Sequence, residues 1–239
     1  MLYFISAYLW SWAIVPFTFV ILRPFVRLEY QLNARHFIYT VLGVQHKITG
    51  EKLIDEGFIL PNHRCFLDAM IDGYVSQATG IGRYLTILVA PFATLLMQID
   101  KRVIFIKRGK DKRNEVYQRC VTHIINQKQN KRILFYPEGT RNNYTSLSSC
   151  EELKSYIKFG MLKSIYENKQ YPVQLLISSN KEHAFNEKKL AAKYGVKIHT
   201  KISCAIHPKD YASEDDFFNE IVKVWFDCYV ETHSHNKLE

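Results

Sequence analysis

The sequence has no C-x-x-C pair, and its five cysteines (Cys65, Cys120, Cys150, Cys204 and Cys228) are odd in number and widely spaced. Neither a disulfide framework nor a zinc knuckle is expected, and a reducing compartment fits. The histidines His123, His183, His199, His207, His233 and His235 show no metal-ligand spacing. No internal repeat is visible. Acidic residues are in deficit, with 23 Asp and Glu against 32 Lys and Arg and a net charge of +9. That balance points to an anionic partner: nucleic acid, anionic lipid or a phosphorylated substrate. The excess is local, since Lys101, Arg102, Lys107, Arg108, Lys110, Lys112 and Arg113 crowd one short stretch against Asp111 alone. Charge of either sign is missing from Leu2 to Leu22.

That uncharged run is long enough to cross a hydrocarbon core of about 30 Å as a helix. It does not read as a cleaved signal, because no basic residue precedes it and no small-x-small site follows. Tyr3, Tyr8, Trp10 and Trp12 suit a membrane interface, and Arg23, Arg27 and Arg35 beyond it would hold the rest of the chain on the cytosolic side. Pro16 leaves two options, a kinked single span or a helical hairpin that enters and leaves one leaflet. A buried core helix is the competing reading.

A content of 47% hydrophobic and 14% aromatic residues suits one sizeable core and argues against bulk disorder. From Phe37 the pattern is that of a soluble domain. Strands are expected at Thr40–Lys47, Phe58–Leu60, Val103–Ile106, Ile133–Tyr136, Val173–Ile177 and within Val196–Ala205. Helices are expected at Ala69–Gln77, ended by Gly80 and Gly82, at Asn114–Asn126, at Glu151–Asn168 with an interruption at Gly160, and at Asp215–Tyr229. Tyr84–Met97, with Pro91 in its middle, is too short to span and reads as a core or membrane-facing segment. Asn142–Ser149 reads as a loop, and Glu231–Glu239 as a polar, frayed tail. The alternation predicts an α/β fold, a mixed and mostly parallel sheet flanked by helices, behind an N-terminal membrane-embedded helical segment. The division expected is a membrane anchor over 1–36, a catalytic domain over 37–230 and a tail over 231–239.

Three chemically loaded turns each follow a short apolar strand. The first is Asn62-His63-Arg64-Cys65-Phe66-Leu67-Asp68, read as a turn leading into a helix near Cys65. With His63 on the turn and Asp68 in the first helical turn, the carboxylate can fix one ring nitrogen and leave the other as a base. The bland alternative is a capping Asp beside an unrelated loop histidine. The second turn offers Lys107 and Arg108, and the third Glu138-Gly139-Thr140-Arg141, with Lys158 a further cation. In open α/β sheets ligands sit at the carboxyl ends of strands, so the three turns are expected to converge. A base beside a phosphate clamp suits deprotonation of a hydroxyl on a phosphorylated substrate, which then attacks an activated carbonyl. Backbone N–H groups near Cys65 are candidate oxyanion donors. Glu138 is read as holding its turn in shape, and Cys65 as a small residue filling space beside His63.

These blocks, together with Ile104-Phe105-Ile106-Lys107-Arg108, Phe135-Tyr136-Pro137 and Tyr171-Pro172-Val173, resemble the four ordered motifs of the glycerolipid acyltransferases, above all the 1-acyl-glycerol-3-phosphate acyltransferases. The resemblance runs from about Gly50 to Ser179. It implies transfer of a fatty acyl group from acyl-CoA, or an acyl carrier protein, to lysophosphatidic acid, giving phosphatidic acid. His63 is then the base and Asp68 its orienter. Lys107, Arg108, Arg141 and Lys158 bind the acceptor phosphate, with Glu138, Gly139 and Thr140 shaping that pocket. Acyl-CoA is a co-substrate, and no cofactor or metal is implied. Membrane lipids are the expected partners and nucleic acid is not, since the basic stretch lacks interleaved aromatics. The catalytic domain is expected to face the cytosol, at the endoplasmic reticulum in a eukaryote, and the sequon Asn143-Tyr144-Thr145 beside Arg141 fits a cytosolic face. The sequence departs from the motifs at Cys65, where serine or threonine is usual, and at Lys107, where aspartate is. A remodelling enzyme for another lysophospholipid, and a non-catalytic membrane-binding protein on the same fold, are the alternatives.

Overall fold

The computed structural model describes residues 1–9, 14–22, 30–107, 109, 111–142, 144 and 146–234. Helices α1 (Leu2–Leu9), α2 (Val15–Leu22) and α3 (Tyr30–Arg35) lead into a π-helical turn over His36–Val41, then β1 (Gln45–Gly50) and β2 (Glu56–Pro61). There follow α4 (Asp68–Ser76), β3 (Thr79–Arg83), α5 (Leu85–Val89), α6 (Pro91–Ile99), β4 (Val103–Ile106), α7 (Arg113–Asn126) and β5 (Lys131–Leu134). The last part holds α8 (Cys150–Tyr156), α9 (Gly160–Asn168), β6 (Val173–Ser178), α10 (Lys181–Ala184), the hairpin of β7 (Phe185–Asn186) and β8 (Ala191–Ala192), β9 (Lys197–Ile202) and α11 (Glu214–Ser234).

A seven-stranded sheet runs in the order β1-β9-β6-β2-β5-β3-β4. Every neighbouring pair is parallel except β6–β9. The fold is the α/β one expected, a mixed and mostly parallel sheet with helices on both faces. Central strands β2 and β6 are buried along nearly their whole length, because helices cover both faces and leave no polar side for alternation to mark. On one face Phe58, Ile133 and Val173 pack with α7, α9 and α11, whose Phe217, Ile221, Trp225 and Cys228 recur at helical spacing. On the other, Leu67, Met70 and Ile71 pack with α1, α3 and α6.

Several expectations are corrected here. Within the uncharged run the described residues form α1 and α2, eight residues each, and no helix among the described residues is long and apolar enough to cross a membrane, so the single-span option is unsupported. Phe4 and Ala7 of α1 are buried, and Phe4 stacks on Phe185 at 4.4 Å. Trp10, Trp12, Arg23 and Arg27 lie outside the described residues. The strand expected at Thr40–Lys47 begins only at Gln45. Phe37, Ile38 and Leu42 instead bury themselves from successive helical turns. Gly80 and Gly82 do not merely end a helix but sit inside β3, a strand hidden because these two glycines interrupt its β-branched Thr79 and Ile81. Tyr84–Met97 is two helices, with Pro91 at the start of α6, where its missing N–H is harmless. Helix α11 continues to Ser234 with Thr232 fully buried, so residues 231–234 of the expected tail are helical, while 235–239 lie outside the described residues.

Candidate active site

The strand order brings the carboxyl ends of β5 and β6 to either side of β2. Asn62 locks the junction: its side-chain amide donates to Ser178 O at 2.8 Å and accepts from Ser178 N at 3.0 Å. The next residue is His63. Its Nδ1 lies 2.8 Å from Asp68 Oδ2. The same carboxylate accepts the backbone N–H groups of Arg64 and of Cys65, the latter at 3.0 Å. Asp68 is thus the first residue of α4 rather than a residue inside a helix begun at Cys65, and its charge sits where a helix N-terminus favours it. Cys65 Sγ donates to Asp68 Oδ1 at 3.2 Å. Burial, reinforced by Asp68, pushes that thiol well up, so it stays protonated.

A second layer surrounds the pair. Tyr136 stacks on the imidazole at 4.1 Å and 19°, and its hydroxyl donates to Asp72 Oδ2 at 3.0 Å. Lys181, fully buried, reaches Asp72 Oδ2 at 2.9 Å and Asp68 Oδ1 at 3.5 Å. Burial alone would raise the Asp68 carboxyl, but Lys181 and the His63 bond outweigh it and bring it down to about 2. Asp72 is lifted to about 7 by burial, against the opposing pull of Lys181.

The loop after β5 is laced to the histidine. Glu138, only 1% exposed, accepts the His63 N–H, and Asn142 N donates to His63 O at 2.9 Å. Burial raises Glu138 to about 7 despite that hydrogen bond. Arg64 ties both flanking loops to the turn, donating to Tyr144 O at 2.8 Å and to Glu182 at 2.9 Å. The N–H groups of residues 63 to 66 are all engaged by carboxylates, Phe66 N by Glu187 at 3.2 Å. They are therefore not the oxyanion donors expected from the sequence.

A cavity of about 660 Å³ opens beside His63. Its lining includes the exposed Arg83, Thr140, Arg141 and Lys188 beside Gly139, and the less exposed Ala69, Gly73, Ala78, Gly80, Ile81 and Met97. Arg141 is held in an ion pair by Glu187. Gly139, at φ +67, is a turn position that disfavours a side chain, and the Lys158 side chain would lie 3.1 Å from a Cβ there. Lys107 is exposed, its ammonium 5.8 Å from the centroid of the Tyr84 ring. Lys107, Lys158 and Glu138 do not line the cavity. Arg108, Lys110, Asn143 and Thr145 lie outside the described residues. A shallower depression of about 480 Å³ between β4 and α7 contains none of the His63 cluster.

The model of the family described as Acyltransferase matches residues 45–174, more than half of the chain. The chain belongs to the acyltransferase family. No curated protein matches it. Among solved structures it is similar to the 1-acyl-sn-glycerophosphate (LPA) acyltransferase PlsC from Thermotoga maritima, with a TM-score of 0.63, 16% identity, and coverage of 99% of this chain and 93% of that one. At that identity the likeness is one of fold. Within the acyltransferase fold the structure adds residues that the sequence reading did not single out: Asp72, Tyr136, Lys181, Glu187 and Arg83. Lys181 opens α10 and Glu187 lies in the β7–β8 hairpin, both in the segment that leaves β6, a fourth strand end on the same edge of the sheet. The rule that marked the other three turns applies to it equally.

Proposed function

We propose that the protein moves a fatty acyl group from acyl-CoA, or an acyl carrier protein, to the free hydroxyl of lysophosphatidic acid, giving phosphatidic acid. One observation carries this reading: Asp68 binds Nδ1 of His63 at 2.8 Å, which leaves Nε2 as the ring nitrogen for the cavity that His63 lines. The hydroxyl gives its proton to Nε2 as its oxygen attacks the thioester carbonyl. Asp68 steadies the imidazolium that forms. The tetrahedral adduct collapses, the carbon–sulfur bond breaks, and the departing thiolate takes the proton from the imidazolium. His63 ends as it began.

The cavity supports an amphiphilic acceptor and donor. Its exposed cations suit a phosphate and its less exposed small apolar residues suit a hydrocarbon chain. Thr140 and Arg141 meet the phosphate directly, with Arg141 exchanging Glu187 for it. Gly139 leaves room for the approach, and Lys158 adds charge behind it. Glu138 acts through the His63 backbone, and Lys107 and Arg108 extend the positive field at the end of β4. The exposed apolar side chains Phe17, Ile21, Leu85, Leu88 and Leu95 support a location on a membrane surface; in this reading the catalytic domain faces the cytosol.

The test is acyl transfer by the purified protein from an acyl-CoA to a panel of lysophospholipids bearing phosphate, inositol, choline, ethanolamine and glycerol headgroups. Product from lysophosphatidic acid is expected, with His63→Ala lowering turnover on the order of 10²- to 10⁴-fold. Selective product from another acceptor would keep His63 as the base and overturn the acceptor. No product with either donor class would overturn the enzymatic reading in favour of a non-catalytic lipid-binding protein.

A further inference from the structure

We propose that Lys181 is the positioning residue of the His63–Asp68 pair: its buried ammonium pins Asp68 as a fixed carboxylate and moderates the negative field under the imidazole. The proposal rests on His63 being the base.

A wholly buried lysine is rare and costly unless its charge is matched. Here all three ammonium protons have acceptors. Nζ donates to Asn62 O at 2.7 Å and to both oxygens of Asp72, at 3.1 and 2.9 Å, and faces Asp68 Oδ1 at 3.5 Å. Those acceptors are the residue before His63, the residue that binds His63, and the residue one helical turn beyond. Lys181 therefore grips both ends of the turn that carries the histidine.

The two oxygens of Asp68 divide the work. Oδ2 receives His63 Nδ1 and two backbone N–H groups, while Oδ1 receives the Cys65 thiol and faces Lys181. With both sides occupied the carboxylate cannot rotate away from the ring. On the opposite side, Asp72 binds Lys181 and the Tyr136 hydroxyl, and the Tyr136 ring lies on His63. Contacts from one ammonium thus reach the imidazole at its Nδ1 edge and on its face.

The charge matters as much as the geometry. The groups facing this cluster are His63, Cys65, Asp68 and Asp72 from the turn and α4, Tyr136 from the end of β5, and His46 from β1. Glu138 meets His63 from the next loop. Without the ammonium, buried Asp72 is protonated and Asp68 stands as an uncompensated carboxylate against the ring. The imidazolium is then favoured, and the free base needed for the reaction forms only at higher pH.

The experiment compares wild type, Lys181→Met, Lys181→Arg and the double variant Asp72→Asn/Lys181→Met. Two readings are taken: the pH profile of kcat/KM, and the titration of the His63 ring nitrogens by NMR. Lys181→Met is expected to move the acidic limb and the His63 titration upward together, by about one pH unit. Lys181→Arg is expected to restore both. The double variant removes the buried ion pair as a unit, so it folds where the single one fails. It keeps the upward displacement, because Asp68 has still lost the ammonium. A folded double variant with an unmoved His63 titration would overturn the proposal and leave Lys181 a purely structural residue. The NMR titration needs no turnover, so an inactive wild type would sink the functional reading alone.

Discussion

Glu138 shows how much a single carboxyl does once its neighbours are known. The motif that contains it places it beside Arg141, where a cation partner is the natural expectation. It turns inward instead and holds the backbone of His63. Its pKa rises from 4.5 to about 7, chiefly through burial, so the folded state binds the proton more tightly than the unfolded one. Stability is then lost as pH rises from the unfolded pKa through the folded one, an effect of about 3 kcal/mol. Asp72 acts in the same direction, while Asp68, held near 2, favours the fold above the usual carboxylate range and loses that only in strong acid. Glu138→Gln keeps an oxygen for the His63 N–H and cannot ionise. Its melting temperature should fall less between pH 5 and pH 8 than that of the wild type. Parallel falls in the two proteins would contradict this. The His63–Asp68 pairing was legible because it is local, a turn of six residues ending a strand. The role of Glu138 was not, because it depends on β5 lying beside β2.

At the scale of elements, β3 is the strand the sequence hid. Two glycines in Thr-Gly-Ile-Gly-Arg read as breakers, yet in a strand glycine also marks close approach of another group. Gly80 lines the cavity, and a Cβ there would meet nothing nearer than Arg102 O at 4.0 Å. Gly73 of α4, across the same space, has nothing within 4 Å. These absent side chains leave open space in the cavity. Gly80→Val adds bulk there with a residue that strands favour. Transfer of long acyl chains should fall at least several-fold while short chains are still used, as read with an acyl-CoA series. An unchanged chain-length profile would place the chain elsewhere. The segment after β6 was likewise unmarked. Lys181 and Glu187 follow an ordinary apolar strand in a segment whose one histidine, His183, fits no motif, and only burial distinguishes one lysine from the others.

The whole molecule carries a net charge of +9 and an apolar surface formed by α2, α5 and α6. Phe17 of α2 meets Phe92 of α6 at 5.0 Å, so α2 packs against the helices beside the cavity. The arrangement suits lying on a bilayer, with apolar side chains inserted and the cations near anionic headgroups. Ile21 and Leu88 are 51% and 78% exposed and do not line the cavity. Replacing both by serine should weaken sedimentation with anionic vesicles about tenfold or more, with activity on detergent-dispersed substrate retained. Equal binding by the variant and the wild type would remove this surface from the membrane interface.

By itself the sequence determined the alternation of strands and helices, the His63–Asp68 turn, the loaded ends of β2, β4 and β5, and the family. Each of these is written in residues close together in the chain, where turn chemistry and apolar periodicity act. Tertiary structure alone decided which side chains are buried together. The order β6-β2-β5 set Lys181 beneath Asp68 and Glu138 behind His63. It also set Phe4 of α1 against Phe185 and Phe17 of α2 against Phe92. A charge's partner and a helix's neighbour depend on distances in space, and local sequence does not encode those.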